Sequence, residues 1–398
     1  MMDCLAIEEQ IARTRNRRAF ADMKRLAQIF IFFCWLPALF GQQTEPTATE
    51  PTRANPAQAP ELKQRPALEP GTGVKSDSKT RPITLDVVVT DALGRRVAGL
   101  KRDDFTITEN GHPQVLGSFR EADGATSPSD PVQAVFLIDT VSNSFESIAA
   151  ERGQIETFLA RDDGHLQFPI SIVLFSDSGA RVDQPSRDGK LLISELKKTF
   201  TAIPTINSAM SSGGAIERFQ RSLKVLNQLL AYEGTRPGRK LLLWIGPGWP
   251  MLSGSHFTSS EKDKRADWDG IVNFSTYLRL ARVTLYSVDT SSSEMSVAHS
   301  VYYENFLKPV TDRKQVNPGN LALPVLAIQS GGKVVSGSND LAAEITSCLE
   351  DAKSYYTVSF DAAHSAQADE YRALTITVNR TGLTARTNTG YYAQPGSF

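Results

Sequence analysis

Oxygen-bearing side chains cluster where a strongly apolar segment of the chain ends. Residues 134–138 form a continuous apolar run, which predicts a strand covered on both faces, and Asp139 follows it directly. In an open α/β sheet, ligands bind beyond the carboxyl ends of the strands. Asp139, Ser142 and Asn143 are therefore candidate ligands for a hard cation such as Mg²⁺, which prefers oxygen.

A second interpretation of the same turn is structural. Apolar residues recur at helical spacing from Phe145 to Leu159, which predicts a helix just after the turn. Asp139 and Ser144 are residue types whose side chains accept hydrogen bonds from backbone N–H groups at a helix start. On this interpretation they brace the turn and no ion is required. The sequence leaves both interpretations open.

The elements around this turn alternate between strands and helices. Apolar runs at 169–175, 241–245 and 283–288 predict buried strands, and an apolar stripe at 216–230 predicts a helix. Two more helices are predicted within 324–352, on either side of Gly331-Gly332, with Asn339 as the cap of the second. Repeated alternation predicts an α/β fold with a doubly wound, mostly parallel sheet. We assign residues 130–352 to this domain.

Both flanks of that domain are predicted to be β structure. Apolar and polar residues largely alternate at 83–89, and Asn110-Gly111 is a strong hairpin signal. Strands at 355–360, 373–378 and 383–387 have no helices between them, so they are predicted to be antiparallel. Neither flank has enough strands for a stable core. We therefore predict that 81–121 and 353–398 pack together as one smaller, antiparallel β-sandwich-like unit.

Large side chains at a few positions in these elements suggest surface contacts. Trp249 and Met251 follow a central strand, where an exposed aromatic side chain suits a protein partner. The alternative is a loop that folds its own apolar residues under a lid. Two tyrosine pairs, Tyr355-Tyr356 and Tyr391-Tyr392, lie in predicted strands. Since neighbouring strand residues point to opposite faces, one tyrosine of each pair is expected at the surface.

The N-terminal region is predicted to direct export. Lys24 and Arg25 precede a short apolar run, and a small residue, Gly41, closes the segment. This order is typical of a signal peptide, which we assign to residues 1–41, with an uncleaved membrane anchor as the alternative. Residues 42–80 are rich in Pro and polar residues and predict a disordered tether. The expected location is periplasmic or extracellular, with membrane contact only through an uncleaved signal segment.

Composition excludes several classes of protein. The 398 residues have a formal net charge of −1, so no strongly basic surface for nucleic acid is indicated. Of Cys4, Cys34 and Cys348, only the last would remain after processing at Gly41, which leaves no intrachain disulfide. The histidines lack metal-ligand spacing, and no Gly-x-Ser-x-Gly motif is present. The sequence therefore predicts binding rather than catalysis.

The Asp139 turn resembles the metal-ion-dependent adhesion site of von Willebrand factor type A domains. The family pattern Asp-x-Ser-x-Ser falls on Asp139, Val141 and Asn143, so one hydroxyl is lost and one is replaced by an amide. The family's acidic residue after the fourth strand is replaced by Gly246-Pro247. The resemblance implies a degenerate site without a resident cofactor, where Mg²⁺ binds weakly only if a partner supplies a carboxylate.

A series of short motifs is also similar to the VWFA-related domain proteins of Acidobacteria. The motifs are 91–94, 97–100, 104–105, 239–242, 286–289, 331–332, 354–356 and 390–393. This resemblance implies an exported protein with this architecture. Our first hypothesis for its function is an exported binding or adhesion module that recognises a protein or other envelope partner. The alternative is a structural component of an envelope assembly without a ligand pocket, and a hydrolase is the least favoured class.

Overall fold

The computed structural model describes residues 82–124, 130–177, 179–200, 212–249, 260–289, 302–362, 365 and 367–394. The predicted signal peptide at 1–41, the predicted tether at 42–80 and Met251 lie outside these residues. None of the described helices is both long and apolar enough to span a lipid bilayer.

A seven-stranded sheet forms the centre of the described chain. Its strands are β5 (Val132–Asp139), β6 (His165–Ser176), β7 (Gly179–Val182), β8 (Ser186–Asp188), β9 (Arg239–Ile245), β10 (Val283–Asp289) and β11 (Val334–Ser336). The order is β11-β10-β9-β5-β6-β7, with β8 also paired to β6. Strands β5, β6, β9, β10 and β11 are parallel to one another, and β7 and β8 are antiparallel to β6. The predicted mostly parallel sheet is confirmed.

Helices cover both faces of this sheet. They are α1 (Phe145–Leu159), α2 (Gly189–Phe200), α3 (Ser212–Gly234), α4 (Glu261–Leu280), α5 (Leu323–Gln329) and α6 (Leu341–Lys353). Alternate strand residues point to opposite faces, so β5 contributes Val135 and Leu137 to the core under α3, α4 and α5. Phe136 and Ile138 belong to the core under α1, α2 and α6. Full burial of such side chains contributes about 1.5–3 kcal/mol each to stability.

The predicted helix cap at Ser144 is confirmed, and the one at Asn339 is wrong. The Ser144 hydroxyl accepts a hydrogen bond from the Ser147 backbone N–H at 3.2 Å. In α6 the cap is Asp340, whose carboxylate accepts from the Ala343 N–H at 2.9 Å. Asp and Asn cap helices equally well, so sequence preference could not separate two adjacent candidates.

Two four-stranded antiparallel sheets flank the α/β domain. Their strands are β1 (Ile83–Thr90), β2 (Phe105–Glu109), β3 (His112–Gln114), β4 (Leu116–Ala122), β12 (Tyr355–Phe360), β13 (Glu370–Val378), β14 (Thr384–Arg386) and β15 (Gly390–Ala393). One sheet has the order β14-β1-β12-β4 and the other β15-β13-β2-β3. In both, strands from the beginning of the described chain pair with strands from its end.

The two antiparallel sheets enclose one hydrophobic core, and we call them together the sandwich. Val87 from β1, Ile107 from β2, Val358 from β12 and Ile376 from β13 all belong to this core. Because each strand places alternate residues inward, the period-2 pattern of β1 fits its position.

The expectation of one surface tyrosine in each pair is wrong, because the sandwich is covered on its outer side as well. Tyr356 and Tyr391 point into the sandwich core. Tyr355 and Tyr392 point away from it and enter the two cores of the α/β domain. All four side chains are therefore buried. Alternation predicts opposite faces correctly, but it cannot reveal that a second domain covers the outer face.

The sandwich contacts the amino ends of the central strands. Arg282, which precedes β10, pairs with Asp86 of β1 at 2.6 Å and with Asp130, which precedes β5. Arg120 of β4 also pairs with Asp130, and the Tyr355 hydroxyl donates to it at 3.3 Å. Since the central strands are parallel, their carboxyl ends point the other way. Asp139 therefore lies at the edge of the sheet opposite these ion pairs.

Candidate functional site

Asp139 ends β5 and is completely buried. Its Oδ1 accepts hydrogen bonds from the backbone N–H groups of Val141 at 2.9 Å and Ser142 at 3.1 Å. Its Oδ2 accepts from the indole Nε1–H of Trp244, which lies on the neighbouring strand β9, at 3.1 Å. A carboxylate offers about four lone-pair positions. Three of them are therefore filled by groups of the protein itself, and all three donors are neutral.

This environment changes the proton affinity of Asp139. Burial removes water from the carboxylate and raises its pKa above the ordinary value of 3.8. The hydrogen bonds from Trp244, from the turn backbone and from the Ser142 side chain lower the pKa, without cancelling the rise. Asp139 has no ion-pair partner among the residues described, so no cation compensates the lost hydration. The site favours the neutral carboxylic acid more than water does.

The other two predicted ligands are placed differently. Ser142 gives its backbone N–H to Asp139, and its hydroxyl oxygen is buried. The Asn143 side chain donates from Nδ2 to Glu151 of α1 at 2.9 Å, and its Oδ1 accepts from the Ser144 N–H at 3.0 Å. Asn143 therefore ties the turn to the helix. The structure brings Asp139 and Ser142 together, whereas the Asn143 amide bonds to other groups.

The end of β9 closes the remaining side of Asp139. Gly246 has φ +121°, and a Cβ atom built there would lie 3.2 Å from the Asp139 Cβ. A side chain at this position would be strained at this φ, and Asp139 would have to shift by a few tenths of an ångström to admit it. Val141, buried on the other side, offers no side-chain oxygen. No group of three or more His, Cys, Asp or Glu side chains suited to a metal occurs in the described part of the chain. The residues at Asp139 do not fit the divalent ion that the resemblance implies.

Trp249 is buried, so its expected exposure is wrong. Only 5% of it is accessible, its ring meets Trp244 edge-on at 5.0 Å, and its Nε1–H donates to the Leu321 carbonyl at 3.0 Å. Leu321 belongs to the segment that precedes α5 and covers this end of the sheet. At Trp249 the structure agrees with the alternative interpretation, in which the loop folds its own apolar residues inward. Met251, the other proposed contact, lies outside the described residues.

An aromatic side chain that belongs to the apolar stripe of the first predicted helix is exposed at this edge. Phe145 is the first residue of α1, and 82% of it is accessible. The later members of its apolar stripe, Ile148, Ile155 and Leu159, are buried. Since α1 begins just past the end of β5, its first residue has no strand beneath it to pack against. Helical spacing predicted the stripe, and the position of Phe145 at the helix start was the signal that it could protrude.

A second buried carboxylate, Asp351 of α6, lies near the amino edge. Arg96 and Arg386 donate hydrogen bonds to it, the Tyr286 hydroxyl donates at 2.6 Å, and Lys333 Nζ lies 3.5 Å away. Burial disfavours its charge, yet Arg386, Lys333 and Arg96 together hold the pKa of Asp351 below 3.8. Arg96 and Arg386 belong to the sandwich side of the chain. This cluster therefore joins the two domains by ion pairs.

Comparison with known proteins identifies several solved structures with partial similarity. No protein-family model matches the sequence, and no curated protein matches it. One solved structure similar to the chain is the manganese-loaded TRAP protein of Plasmodium vivax, with 10% sequence identity and a TM-score of 0.33. The match covers 70% of this chain and 100% of the TRAP chain. The vWF domain of the type V pili tip protein Mfa5 of Porphyromonas gingivalis has 12% identity, coverage of 56% and 95%, and TM-score 0.29.

A third is the pilus adhesin SpaC of Lactobacillus rhamnosus GG, with 10% identity, coverage of 73% and 48%, and TM-score 0.34. The chain also matches 44% of the length of human COPII-coat protein Sec24c. It thus spans less than half of these last two proteins.

Proposed function

We propose that the chain is an exported binding module of the von Willebrand factor type A-like kind, which recognises a protein partner without a metal ion. In this proposal the contact surface is the carboxyl edge of the central sheet. The observation that carries it is the exposure of Phe145 beside the Asp139 turn. Exposed aromatic side chains are frequent anchors in protein interfaces, because they bury a large area with little loss of side-chain freedom.

The arrangement of the two domains supports this choice of surface. Ion pairs such as Arg282 with Asp86 hold the sandwich at the amino edge. In open α/β sheets, ligands bind at the opposite, carboxyl edge. The Asp139 turn braces this edge, since its hydrogen bonds fix the backbone from β5 into α1. Phe145 is thereby presented from a rigid helix start, which limits the entropy lost on binding.

The test is affinity capture from envelope extracts of the source cells with three forms of the protein. We expect a partner to be retained by the wild type and lost with Phe145→Ser. Leu280→Ser is the matched control, because Leu280 is 61% exposed at the end of α4 that leads to the amino edge. A partner retained equally by Phe145→Ser and wild type would contradict the proposal. It would favour the alternative, an envelope component that uses other surfaces.

A further inference from the structure

A cavity of about 230 Å³ opens near the amino edge of the central sheet, at the end of α1 opposite the Asp139 turn. It lies between the end of α1, the turn Arg161–Gly164, the first residues of β6 and the last turns of α6. β6 starts at His165 and first pairs with β5 at Ile170, so its beginning extends past its neighbour. This overhang leaves a space that the sandwich strands do not fill.

The floor of the cavity is apolar. Phe158, Phe168, Ile170 and Leu349 line it, and all four are buried. An apolar cavity of about 150 Å³ is already large enough to hold benzene. The space here therefore suits a side chain of the size of a phenyl ring or a branched aliphatic group. Such a side chain would be stabilised on the floor, because both apolar surfaces would be removed from water.

The rim carries both signs of charge in equal number. Arg161 and Lys353 are cationic, and Asp162 and Glu350 are anionic. Lys353 pairs with Glu350 at 2.6 Å, so the charges considered for a ligand are Arg161 and Asp162. Arg161 donates from Nη1 to the Thr346 hydroxyl at 2.6 Å, which fixes the guanidinium across the mouth while the residue stays exposed. A guanidinium held in this way can donate its other N–H groups to a carboxylate. The Asp162 carboxylate beside it is suited to an ammonium group.

The turn that forms one wall has an unusual backbone. Asp162 and Asp163 have φ of +51° and +57°, and Gly164 follows with +85°. Side-chain-bearing residues adopt this region only when surrounding contacts hold them there. The Lys190 ammonium lies 2.7 Å from the Asp163 carboxylate and supplies such a contact. This pair lies at the surface, and the turn forms one wall of the cavity beside it.

From these features we propose that the cavity binds a free apolar α-amino acid. The side chain rests on the Phe158 and Phe168 floor. The α-carboxylate accepts hydrogen bonds from Arg161, and the α-ammonium faces Asp162. A balanced rim over an apolar floor distinguishes such a zwitterion from a simple acid or amine, each of which leaves one sign of the rim unmatched.

The test is isothermal titration calorimetry of the full chain with L-phenylalanine and two analogues. Phenethylamine lacks the carboxylate, and 3-phenylpropionate lacks the ammonium. We expect phenylalanine to bind at least tenfold more tightly than either analogue. The absence of binding heat with phenylalanine at millimolar concentration would overturn the proposal, and so would equal affinity for 3-phenylpropionate.

Three variants test whether the ligand binds in this cavity. Arg161→Gln is expected to weaken phenylalanine binding at least tenfold and to leave phenethylamine binding unchanged. Arg102→Gln, an exposed arginine of the sandwich, is the matched control and should bind like wild type. Leu166→Trp, which fills the cavity from its half-buried wall, should abolish binding while a thermal melt shows a folded protein. Wild-type affinity in Arg161→Gln or Leu166→Trp would place the ligand elsewhere and overturn the assignment.

Discussion

Two buried aspartates at opposite edges of the central sheet are stabilised in different ways. Asp139 at the carboxyl edge accepts hydrogen bonds from neutral donors, among them two backbone N–H groups and the Trp244 indole. Asp351 near the amino edge is surrounded by Arg96, Lys333 and Arg386. Both side chains are inaccessible, yet the pKa of Asp139 is raised and that of Asp351 is lowered. Burial alone therefore does not decide the state of a carboxylate.

The difference assigns different roles to the two edges. Ion pairs at Asp351 come from both the sandwich and the α/β domain, so they fix the two domains to each other. Hydrogen bonds at Asp139 lie within the α/β domain and hold the turn from β5 to α1. One edge is thus used for domain assembly. The other holds the turn from β5 to α1 beside the exposed Phe145.

The largest effect is expected from Asp351→Ala. Removing this carboxylate leaves Arg96, whose side chain is 9% exposed, and its neighbouring cations without their shared anion. Breaking a buried ion pair on one side costs about 3–5 kcal/mol of unfolding free energy. Glu350→Ala is the matched control, since Glu350 is partly exposed and its pair with Lys353 is worth at most about 1 kcal/mol. Urea unfolding measures both, and equal losses would show that the Asp351 cluster does not join the domains.

A smaller loss is expected from Asp139→Asn. The amide keeps one oxygen acceptor, but its NH₂ group is a donor. It would face either the Trp244 N–H or the turn N–H groups, which are donors as well. A buried donor left without an acceptor costs about 1–3 kcal/mol. Asp188→Asn is the control, because Asp188 accepts two similar backbone bonds at the start of α2 but is exposed. Its expected loss is a few tenths of a kcal/mol. Equal destabilisation in urea would contradict the role of Trp244.

The two aspartates should also respond oppositely to pH. Asp139 has a raised folded pKa, so the folded state binds more protons, and its contribution to stability falls as pH rises from about 3.8 through the folded pKa. Asp351 has a lowered pKa, so its contribution is present above 3.8 and is lost as pH falls through the folded pKa. A tenfold difference in proton affinity between the folded and unfolded states corresponds to about 1.4 kcal/mol of unfolding free energy.

The measurement is unfolding of wild type, Asp139→Asn and Asp351→Asn between pH 3 and pH 7. The advantage of wild type over Asp351→Asn should grow with pH, and its advantage over Asp139→Asn should shrink. Parallel pH profiles for the two variants would mean that the environments of the two carboxylates do not differ as described.

Local patterns in the sequence predict most of the secondary structure. Alternation at 83–89 predicts β1, and the Ser144 cap with its apolar stripe predicts α1. Helix α4 was not predicted, because charged residues fill its first turns and its buried stripe begins only at Trp268. Such a helix is stabilised by packing on its apolar face rather than by a clear start signal.

The geometry of the Asp139 site is formed by contacts between distant parts of the chain, which local patterns do not predict. Asp139 was recognised from its place after β5, but its partner Trp244 is 105 residues away on β9. A buried tryptophan needs an acceptor for its indole N–H, and that requirement was the one available signal. The exposure of Phe145 and the burial of Trp249 depend on where the sheet ends and on the segment before α5. Neither feature follows from the local spacing of apolar residues.

The smallest expected effect tests the central claim, that the Asp139 turn is closed by the protein's own donors and functions without a metal. A cation bound at a hundred times its Kd would stabilise the fold by about 2.7 kcal/mol and raise the melting temperature. Thermal melts of wild type and Asp139→Asn with millimolar Mg²⁺, with Mn²⁺ and with EDTA make the comparison. We predict that the curves of each protein coincide under all three conditions. An upward shift of wild type with Mg²⁺ or Mn²⁺, reversed by EDTA and absent in Asp139→Asn, would contradict the account.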